Sequence, residues 1–381
     1  LMAAAGANSV RTDHRGLDAA QQAGLTCLVR LPMGNPRHGF AYDDRGWLDA
    51  QFEKTRSLVR QYRGHPALLA WSLGNEPEID TTADQRVALW KEVNRLALMV
   101  KEEDPNHPVI AVLGDGYRHM LHELDRACPA LDAVGLNAYA DMLTLPEDVA
   151  RAGWRRPYLV TEFGPRGHWQ VPKTPWRMPI EDTSTAKADF YLEAYRHAVE
   201  GRSQCLGAYA FYWSHKQEKT HTWYGMFLPD GSRTAAVDAM TLLWSGRWPA
   251  NRCPRIAGNG IRRLSGGRRS VAGETLLAGQ RARFGVTVSD PEEDPIEVAW
   301  ELRVDVADNP GVGGDREPAT APIQRAIVGT AEEGRIAVVE LPRKPGPYRL
   351  YVYARDGHGN AATANLPILS VMPHRTEAEP R

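Results

Sequence analysis

Seven runs of apolar, strand-like residues, each followed by a helical run, occupy the first two-thirds of the 381-residue chain. Strands that alternate with helices are typical of a parallel sheet wrapped by crossover helices. The strand-like runs are 7–12, 25–32, 68–76, 108–114, 131–139, 157–162 and 205–213, and the helical runs are 17–23, 47–62, 82–103, 119–126, 146–152, 184–200 and 234–244. This rhythm predicts a (β/α) barrel over residues 1–248.

The number of units is one short of the eight that close a TIM barrel. Residues 1–5 have the pattern of a helix end that leads into the strand at 7–12. We therefore expect that the first strand of an eight-stranded barrel lies upstream of Leu1. A barrel without that strand leaves two sheet edges, on the strand of Arg11 and on the strand of Trp213.

After residue 248 the helical period ends. Residues 249–257 contain Pro249, Asn251 and Pro254 and predict a linker. Short alternating runs at 282–288, 296–306, 336–341 and 348–354, with a turn-rich segment at 356–360, predict a small all-β, immunoglobulin-like sandwich over residues 258–372. Residues 373–381 are expected to form a flexible tail.

Composition excludes several classes of partner. The formal net charge of −1 gives no electrostatic reason to expect nucleic acid. No apolar run approaches the roughly 20 residues of a membrane-spanning helix.

No signal-peptide pattern follows Leu1, and a start on Leu predicts a processed or truncated product. Localisation stays open, and a secreted or periplasmic location is compatible with a signal lost upstream.

The four cysteines and twelve histidines do not predict a metal or redox site, because they form no CxxC or HExxH pattern. Cys27 and Cys205 are expected to be buried thiols, and a Cys205–Cys253 bridge is possible but unsupported. No cofactor and no metal are expected.

Two glutamates end predicted strands. Glu76 follows the run Leu-Leu-Ala-Trp-Ser-Leu-Gly-Asn, and Glu162 follows Tyr-Leu-Val-Thr. The carboxyl ends of all strands in a parallel barrel meet on one face, where active sites lie. Two carboxylates on that face suit the cleavage of a glycosidic bond. The alternative is that each Glu only hydrogen-bonds a loop.

The segments around both glutamates resemble a known clan. Leu73-Gly74-Asn75-Glu76-Pro77 and Val160-Thr161-Glu162-Phe163-Gly164 are similar to the two catalytic signatures of the clan A retaining glycoside hydrolases. Residues 5–12 are similar to the segment that enters the second barrel strand of glycoside hydrolase family 2. The resemblance covers about residues 1–248. Related endo-β-glucanase families stay open, because some of them also place an immunoglobulin-like domain after the barrel.

The resemblance implies a role for each of several residues. Glu162 would be the nucleophile and Glu76 the acid/base, with carboxyl groups about 5–5.5 Å apart. Asn75 would bind the sugar 2-hydroxyl, with a turn-forming role as the alternative. The other predicted substrate-site residues are Arg11 beside Glu162, Asn137 and Tyr139 after the sixth strand of the family barrel, Trp213 as the floor of the cleavage subsite, and the loop aromatics Trp169 and Trp223.

The predicted activity is the retaining hydrolysis of a β-linked oligo- or polysaccharide. Two alternatives remain open from the sequence. A transglycosylase would pass the same glycosyl-enzyme to a sugar, and a catalytically silent barrel would only bind carbohydrate. For Trp169 and Trp223, packing within the loops is an equally favoured alternative to substrate contact.

Overall fold

The computed structural model describes residues 1–264, 273–307 and 317–372. The flexible tail predicted for residues 373–381 lies outside the described residues. The chain divides into two compact units: the first is Leu1–Phe163, Leu192–Ala210 and Leu243–Ser245, and the second is Gly164–Tyr191, Phe211–Leu242 and Gly246–Arg381. The domain boundaries at residues 248 and 257 stay predictions.

One parallel sheet of seven strands lies in the first unit, with its strands in chain order. The strands are β1 (Ser9–Thr12), β2 (Thr26–Leu31), β3 (Leu68–Leu73), β4 (Val109–Leu113), β5 (Ala133–Asn137), β6 (Tyr158–Phe163) and β7 (Cys205–Ala210). The predicted TIM-barrel fold, with seven strands in this chain, is confirmed. In the described residues no backbone ladder joins β1 to β7, but the hydroxyls of Ser9 and Tyr209 lie 2.9 Å apart across that junction.

Helices separate the strands as predicted. They are α1 (Leu17–Gln22), α2 (Arg45–Tyr62), α3 (Ala83–Glu103), α4 (Leu121–Ala127), α5 (Leu145–Arg151), α6 (Ser184–Ala198) and α7 (Ala235–Ser245). Helix α3 begins with a capping box in which Thr82 and Gln85 bond each other's backbone N–H. The predicted helix end at residues 1–5 is a short 3-10 helix, Ala3–Ala5.

A hydrophobic layer on the sheet is formed by buried side chains from consecutive strands. Its members are Leu28, Ala70, Ile110, Val112 and Ala133, with Leu159 and Tyr209 packed against them. Small and branched side chains of this kind fill the inside of a barrel rather than leaving a pore. The polar residues that end the strands lie beyond this layer.

Two of the predicted strands end three residues early, at 73 instead of 76 and at 210 instead of 213. The predicted strand 68–76 ends at Leu73, because Gly74 and Glu76 have left-handed backbones with φ of 66° and 51°. Extended backbone cannot continue through such residues. Glu76 therefore lies on the loop after β3. The predicted strand 205–213 ends at Ala210, which places Trp213 after the strand.

The second unit contains an all-β sandwich. Its strands are β8 (Arg233–Thr234), β9 (Arg255–Ile256), β10 (Arg262–Arg263), β11 (Glu274–Leu277), β12 (Arg281–Gly285), β13 (Val288–Ser289), β14 (Glu297–Val304), β15 (Ile327–Ala331), β16 (Ile336–Glu340), β17 (Gly346–Arg355) and β18 (Asn360–Val371). One sheet has the order β10-β12-β16-β15 and the other β11-β18-β17-β14, with β8 on β18 and with β9 and β13 as a separate pair. Residues of both sheets, including Phe284, Val339, Leu350 and Ile368, form one core.

Strand β18 is the longest strand, and the sequence did not predict it. It contains Pro367, which lacks the N–H of a ladder and argues against a central strand. The structure nevertheless pairs β18 with β17 along ten residues and with β11 on its other side.

All four cysteines are free thiols, and Cys205 is half-buried while Cys27 is buried. In the part of the chain that the structure describes, no helix is both long and apolar enough to cross a bilayer.

Candidate active site

Glu162 lies in β6, one residue before the strand ends, and both of its carboxyl oxygens accept hydrogen bonds. Arg11 on β1 donates from Nη1 to Oε1 at 2.7 Å, and the Tyr139 hydroxyl donates to Oε2 at 3.0 Å. Arg11 also donates to the carbonyl oxygen of Thr161 at 3.2 Å. Arg11 on β1 and Tyr139, two residues after β5, thus fix the carboxyl group at the end of β6.

The backbone of Glu76 is anchored to the strands on either side of its own. Its N–H donates to the Val112 carbonyl on β4 at 3.1 Å. Its carbonyl accepts from Asn35 Nδ2, on the loop after β2, at 3.2 Å. Backbone strain of this kind at a functional site persists only where the surroundings hold it. These two bonds hold the left-handed turn at Glu76.

The Glu76 carboxyl group has two different sides. Oε1 accepts a hydrogen bond from Asn137 Nδ2 at 2.8 Å. Oε2 faces the guanidinium of Arg37, with Nη2 3.9 Å away, which is too far for a hydrogen bond. The side chains of both residues are mostly enclosed, with Glu76 18% and Arg37 11% exposed.

Two asparagines connect the glutamates. Arg11 Nη2 donates to Asn75 Oδ1 at 2.5 Å, and Asn137 Nδ2 is 3.3 Å from the same oxygen. The Thr161 hydroxyl donates to Asn137 Oδ1 at 2.8 Å, which fixes the orientation of the Asn137 amide. A continuous chain of hydrogen bonds therefore runs from Glu162 through Arg11, Asn75 and Asn137 to Glu76.

The pKa of Glu76 is raised from 4.5 to about 7. Burial is the main cause, and the negative charge of Glu162 adds to it. The hydrogen bond from Asn137 and the charges of Arg37 and Arg11 oppose the rise. Near neutral pH a large fraction of Glu76 therefore carries a proton and can donate it.

A second carboxyl group, on Glu78, lies two residues from Glu76. It is fully buried, and Oε1 accepts from the Gly114 N–H at 2.5 Å. Burial raises the pKa of Glu78 to about 8. This hydrogen bond joins the loop that carries Glu76 to the end of β4. Glu78 therefore stabilises the turn at Glu76.

The sequence predicted neither Glu78 nor Arg37 as site residues. In the sequence, Glu78 is marked only as a charged residue close to the Glu76 motif. Arg37 lies on the loop after β2, in the 3-10 helix Pro36–His38, where only its position after a strand end could have marked it. Asn35 was missed for the same reason, since its role depends on the neighbouring loop.

The three predicted aromatic contacts belong to the second unit. Trp169 is 47% exposed and meets the His168 ring edge-on, with ring centroids 4.9 Å apart. Trp213 is half-buried and packs edge-to-face on Phe227. Trp223 is 1% exposed, and its indole N–H donates to the Arg166 carbonyl at 3.0 Å. This burial favours loop packing for Trp223, whereas Trp169 keeps the exposed ring that substrate contact needs.

One cluster of three aspartates in the described residues has the spacing of metal ligands. Oxygens of Asp290, Asp294 and Asp356, in the second unit, lie within 4.8 Å of one another. Asp290 accepts from the backbone N–H groups of its own turn, and so does Asp356. These turn-forming bonds account for the positions of both carboxylates.

The fold and the site define a class of protein: a TIM barrel with two linked carboxyl groups at its strand ends. Residues 1–167 match the family model described as glycosyl hydrolases family 2, TIM barrel domain. The resemblance that the motifs around Glu76 and Glu162 predicted is therefore confirmed for this segment.

Curated relatives match parts of the chain. A β-glucuronidase of Bacteroides fragilis is 31% identical over 119 residues, which is 28% of this chain and 16% of the relative. A probable mannan endo-1,4-β-mannosidase F of Aspergillus flavus is 24% identical over 158 residues, which is 34% of this chain and 33% of the relative. The chain therefore matches no more than a third of the length of either protein.

A solved structure supports the fold across both units. The crystal structure of a Bacteroides uniformis β-glucuronidase aligns with 98% of this chain and 43% of its own, with a TM-score of 0.50 and 15% identity. At this level of identity the similarity concerns the fold.

Proposed function

We propose that this chain carries the catalytic barrel of a retaining β-glycoside hydrolase, with Glu162 as the nucleophile and Glu76 as the acid/base. The observation that supports this most is the asymmetry of the linked pair. Glu162 is held by two donors, whereas Glu76 has a pKa near 7 and a single hydrogen bond to its side chain. Acid/base catalysis works best when the pKa lies near the working pH.

In the first step Glu162 attacks the anomeric carbon and forms a glycosyl ester, while the bond to the leaving oxygen breaks. Glu76 transfers its proton to that oxygen, so the leaving group departs as a neutral alcohol. Arg11 and Tyr139 hold the attacking carboxylate against rotation, which keeps it in position for an in-line approach.

In the second step water replaces the leaving group. Glu76, now a carboxylate, takes a proton from the water as its oxygen attacks the anomeric carbon, and the ester bond to Glu162 breaks. Forming the ester removes the charge of Glu162, and this lowers the pKa of Glu76 for its role as a base. Two inversions leave the product with the configuration of the substrate.

Asn75 is proposed to bind the sugar 2-hydroxyl. Its Oδ1 is occupied by Arg11 and Asn137, but its Nδ2 makes no hydrogen bond to any residue in the described ranges. That N–H group can donate to a substrate hydroxyl, and hydrogen bonds to the 2-hydroxyl strengthen in the transition state.

The proposed substrate is a β-linked oligo- or polysaccharide. The relatives' names, a β-glucuronidase and a mannan endo-1,4-β-mannosidase, suggest the sugars to try first. A suitable panel contains aryl β-glucuronide, β-galactoside, β-mannoside and β-glucoside, together with β-mannan and β-glucan.

The test is turnover of this panel, followed by NMR of the first-formed anomer. Retention with the β-anomer formed first supports the proposal, and the α-anomer contradicts the assigned mechanism. Glu162→Gln should abolish turnover, whereas Glu53→Gln, at a side chain that is 61% exposed, should not change it. Product sizing separates hydrolysis from transglycosylation, and binding without any turnover indicates a silent barrel.

A further inference from the structure

The guanidinium of Arg37 is nearly enclosed, and none of the described residues accepts a hydrogen bond from it. Its side chain is 11% exposed, its Nε is buried without a partner, and Nη2 is 3.9 Å from Glu76 Oε2. No hydrogen bond joins the guanidinium to any residue within the described ranges. Burying a donor-rich group in this way is costly unless an acceptor arrives.

The backbone of Arg37 is fixed relative to Glu76. Asn35 accepts from the Arg37 N–H at 2.9 Å and donates to the Glu76 carbonyl at 3.2 Å. Arg37 therefore occupies its place because the loop is bonded to the acid/base turn. A guanidinium that is mostly enclosed and carried on a fixed backbone has fewer conformations to lose when it binds an oxyanion.

The charge of Arg37 is poorly compensated in the state that begins the reaction. Glu76 and Glu78, two carboxyl groups that feel the charge of Arg37, both have raised pKa values, of about 7 and about 8. Near neutral pH Glu78 is mostly protonated, and Glu76 must be protonated in order to act as an acid. Arg37 then faces no full negative charge from either of them.

Arg37 also lies on a defined side of the site. Glu76 Oε1 is bonded to Asn137, and through it to the chain of contacts that leads to Glu162. Arg37 faces the other oxygen, Oε2. The acid/base residue protonates the leaving-group oxygen, so a group beside it and away from the nucleophile faces the leaving group.

We propose that Arg37 is a specificity residue that binds an oxyanion, a carboxylate or a sulfate, on the leaving-group portion of the substrate. This inference rests on the proposed function, because Glu76 defines the leaving-group side only if it is the acid/base. The substrate class is then an acidic β-glycan whose leaving-group sugar carries a uronate or a sulfate ester. Arginine suits both anions, since its planar fork matches their oxygens.

The first experiment compares matched substrates on three variants. The substrates are aryl β-glycosides whose leaving group carries a carboxylate, the methyl ester of that carboxylate, or a sulfonate. The variants are Arg37→Gln, Arg37→Lys and, as a control for removing a cation, Arg15→Gln, whose side chain is 80% exposed. For each substrate, the kcat/KM of the variant is divided by that of the wild type. This ratio cancels differences in leaving-group reactivity between substrates.

For Arg37→Gln we expect kcat/KM to fall at least about tenfold more for an anionic substrate than for the ester, the usual size of a lost charge-assisted hydrogen bond. Arg37→Lys should recover part of this difference, and Arg15→Gln should show none. The carboxylate and sulfonate arms show which oxyanion the site prefers. Equal losses on charged and neutral leaving groups would overturn the proposal.

A binding experiment decides the matter if no glycoside is turned over. Isothermal titration compares a β-linked disaccharide with a uronate at its reducing end and its neutral counterpart, using wild type and Arg37→Gln. Selective binding of the uronate that Arg37→Gln abolishes supports the anion site even where the hydrolase proposal fails. Turnover of neutral substrates without any anion preference supports the hydrolase and rejects the role of Arg37.

Discussion

Arg11 donates to Glu162 from one terminal nitrogen, at 2.7 Å, and to Asn75 from the other. A single guanidinium thus sets the position of the proposed nucleophile and of the residue next to the proposed acid/base. Since Arg11 lies on β1 and Asn75 on the loop after β3, the contact joins parts of the barrel that are far apart in sequence. A change in the position of Glu162 is therefore transmitted through Arg11 to Asn75, beside Glu76.

Replacing Arg11 with Lys should lower kcat by roughly tenfold to a thousandfold, because an ammonium group cannot reproduce both arms of the fork and each charge-assisted bond is worth about 1.5–3 kcal/mol. The measurement is steady-state kinetics on the best aryl glycoside, with Arg15→Gln as the exposed-arginine control. A kcat within twofold of wild type would show that the linkage through Arg11 does not matter for catalysis.

The pKa of Glu76 should fall when the charge of Glu162 is removed. In the wild type it is about 7, because burial and the Glu162 charge both oppose ionisation. In Glu162→Gln only burial remains, so the titration should move to lower pH. Carbon-detected NMR of labelled glutamate follows both proteins directly. In wild type, kcat/KM should decrease as the pH rises through about 7, where Glu76 loses the proton that it must donate.

An unchanged Glu76 titration in Glu162→Gln would contradict the coupling. The control is Glu53→Gln, at an exposed residue. It distinguishes the effect of the charge at Glu162 from the effect of a change in the total charge of the protein.

The paired glutamates could be predicted because their short motifs coincide with strand ends, and parallel strands bring those ends together. Arg11 was predictable for the same reason, whereas Tyr139 was assigned from the resemblance of its segment. The amide chain through Asn75 and Asn137 was not, since it depends on which way each side chain points after the strand ends. The left-handed turn at Glu76 was also hidden, because a non-glycine residue with positive φ has no reliable sequence signal.

Arg37 and Glu78 show a second limit. A charged residue in a loop is usually solvated, so the sequence favours an exposed position for both. Their burial results from the packing of neighbouring loops, which no local pattern encodes. Strand β18 shows the same limit in the sandwich, where pairing on both sides overrides the unfavourable Pro367.

Glu78 should make the protein less stable as the pH rises. Its pKa is raised from 4.5 to about 8 in the folded state, so its contribution is fully present below about 4.5 and is lost as the pH rises through about 8. Glu78→Gln, which resembles the neutral acid, should flatten the loss of unfolding free energy between pH 5 and pH 9. Urea unfolding at several pH values measures this slope.

The matched control for Glu78 is Glu53→Gln, which should keep the wild-type pH dependence. If Glu78→Gln lost stability equally at every pH, Glu78 would act through the shape of its contact with Gly114 rather than through its proton.

Removing each proposed catalytic carboxyl group should give opposite results. Glu162→Gly should abolish turnover, and azide should restore it, because a small anion can enter the space of the missing nucleophile. The restored reaction has a single displacement, so the glycosyl azide should have the inverted configuration. Glu76→Gly should instead keep the first step with activated aryl leaving groups, which depart without a proton, and lose it with poor ones. Kinetics against leaving-group pKa, with NMR of the azide product, tests both assignments. Rescue of the Glu76 variant to an inverted product, with leaving-group dependence in the Glu162 variant, would require the two roles to be exchanged.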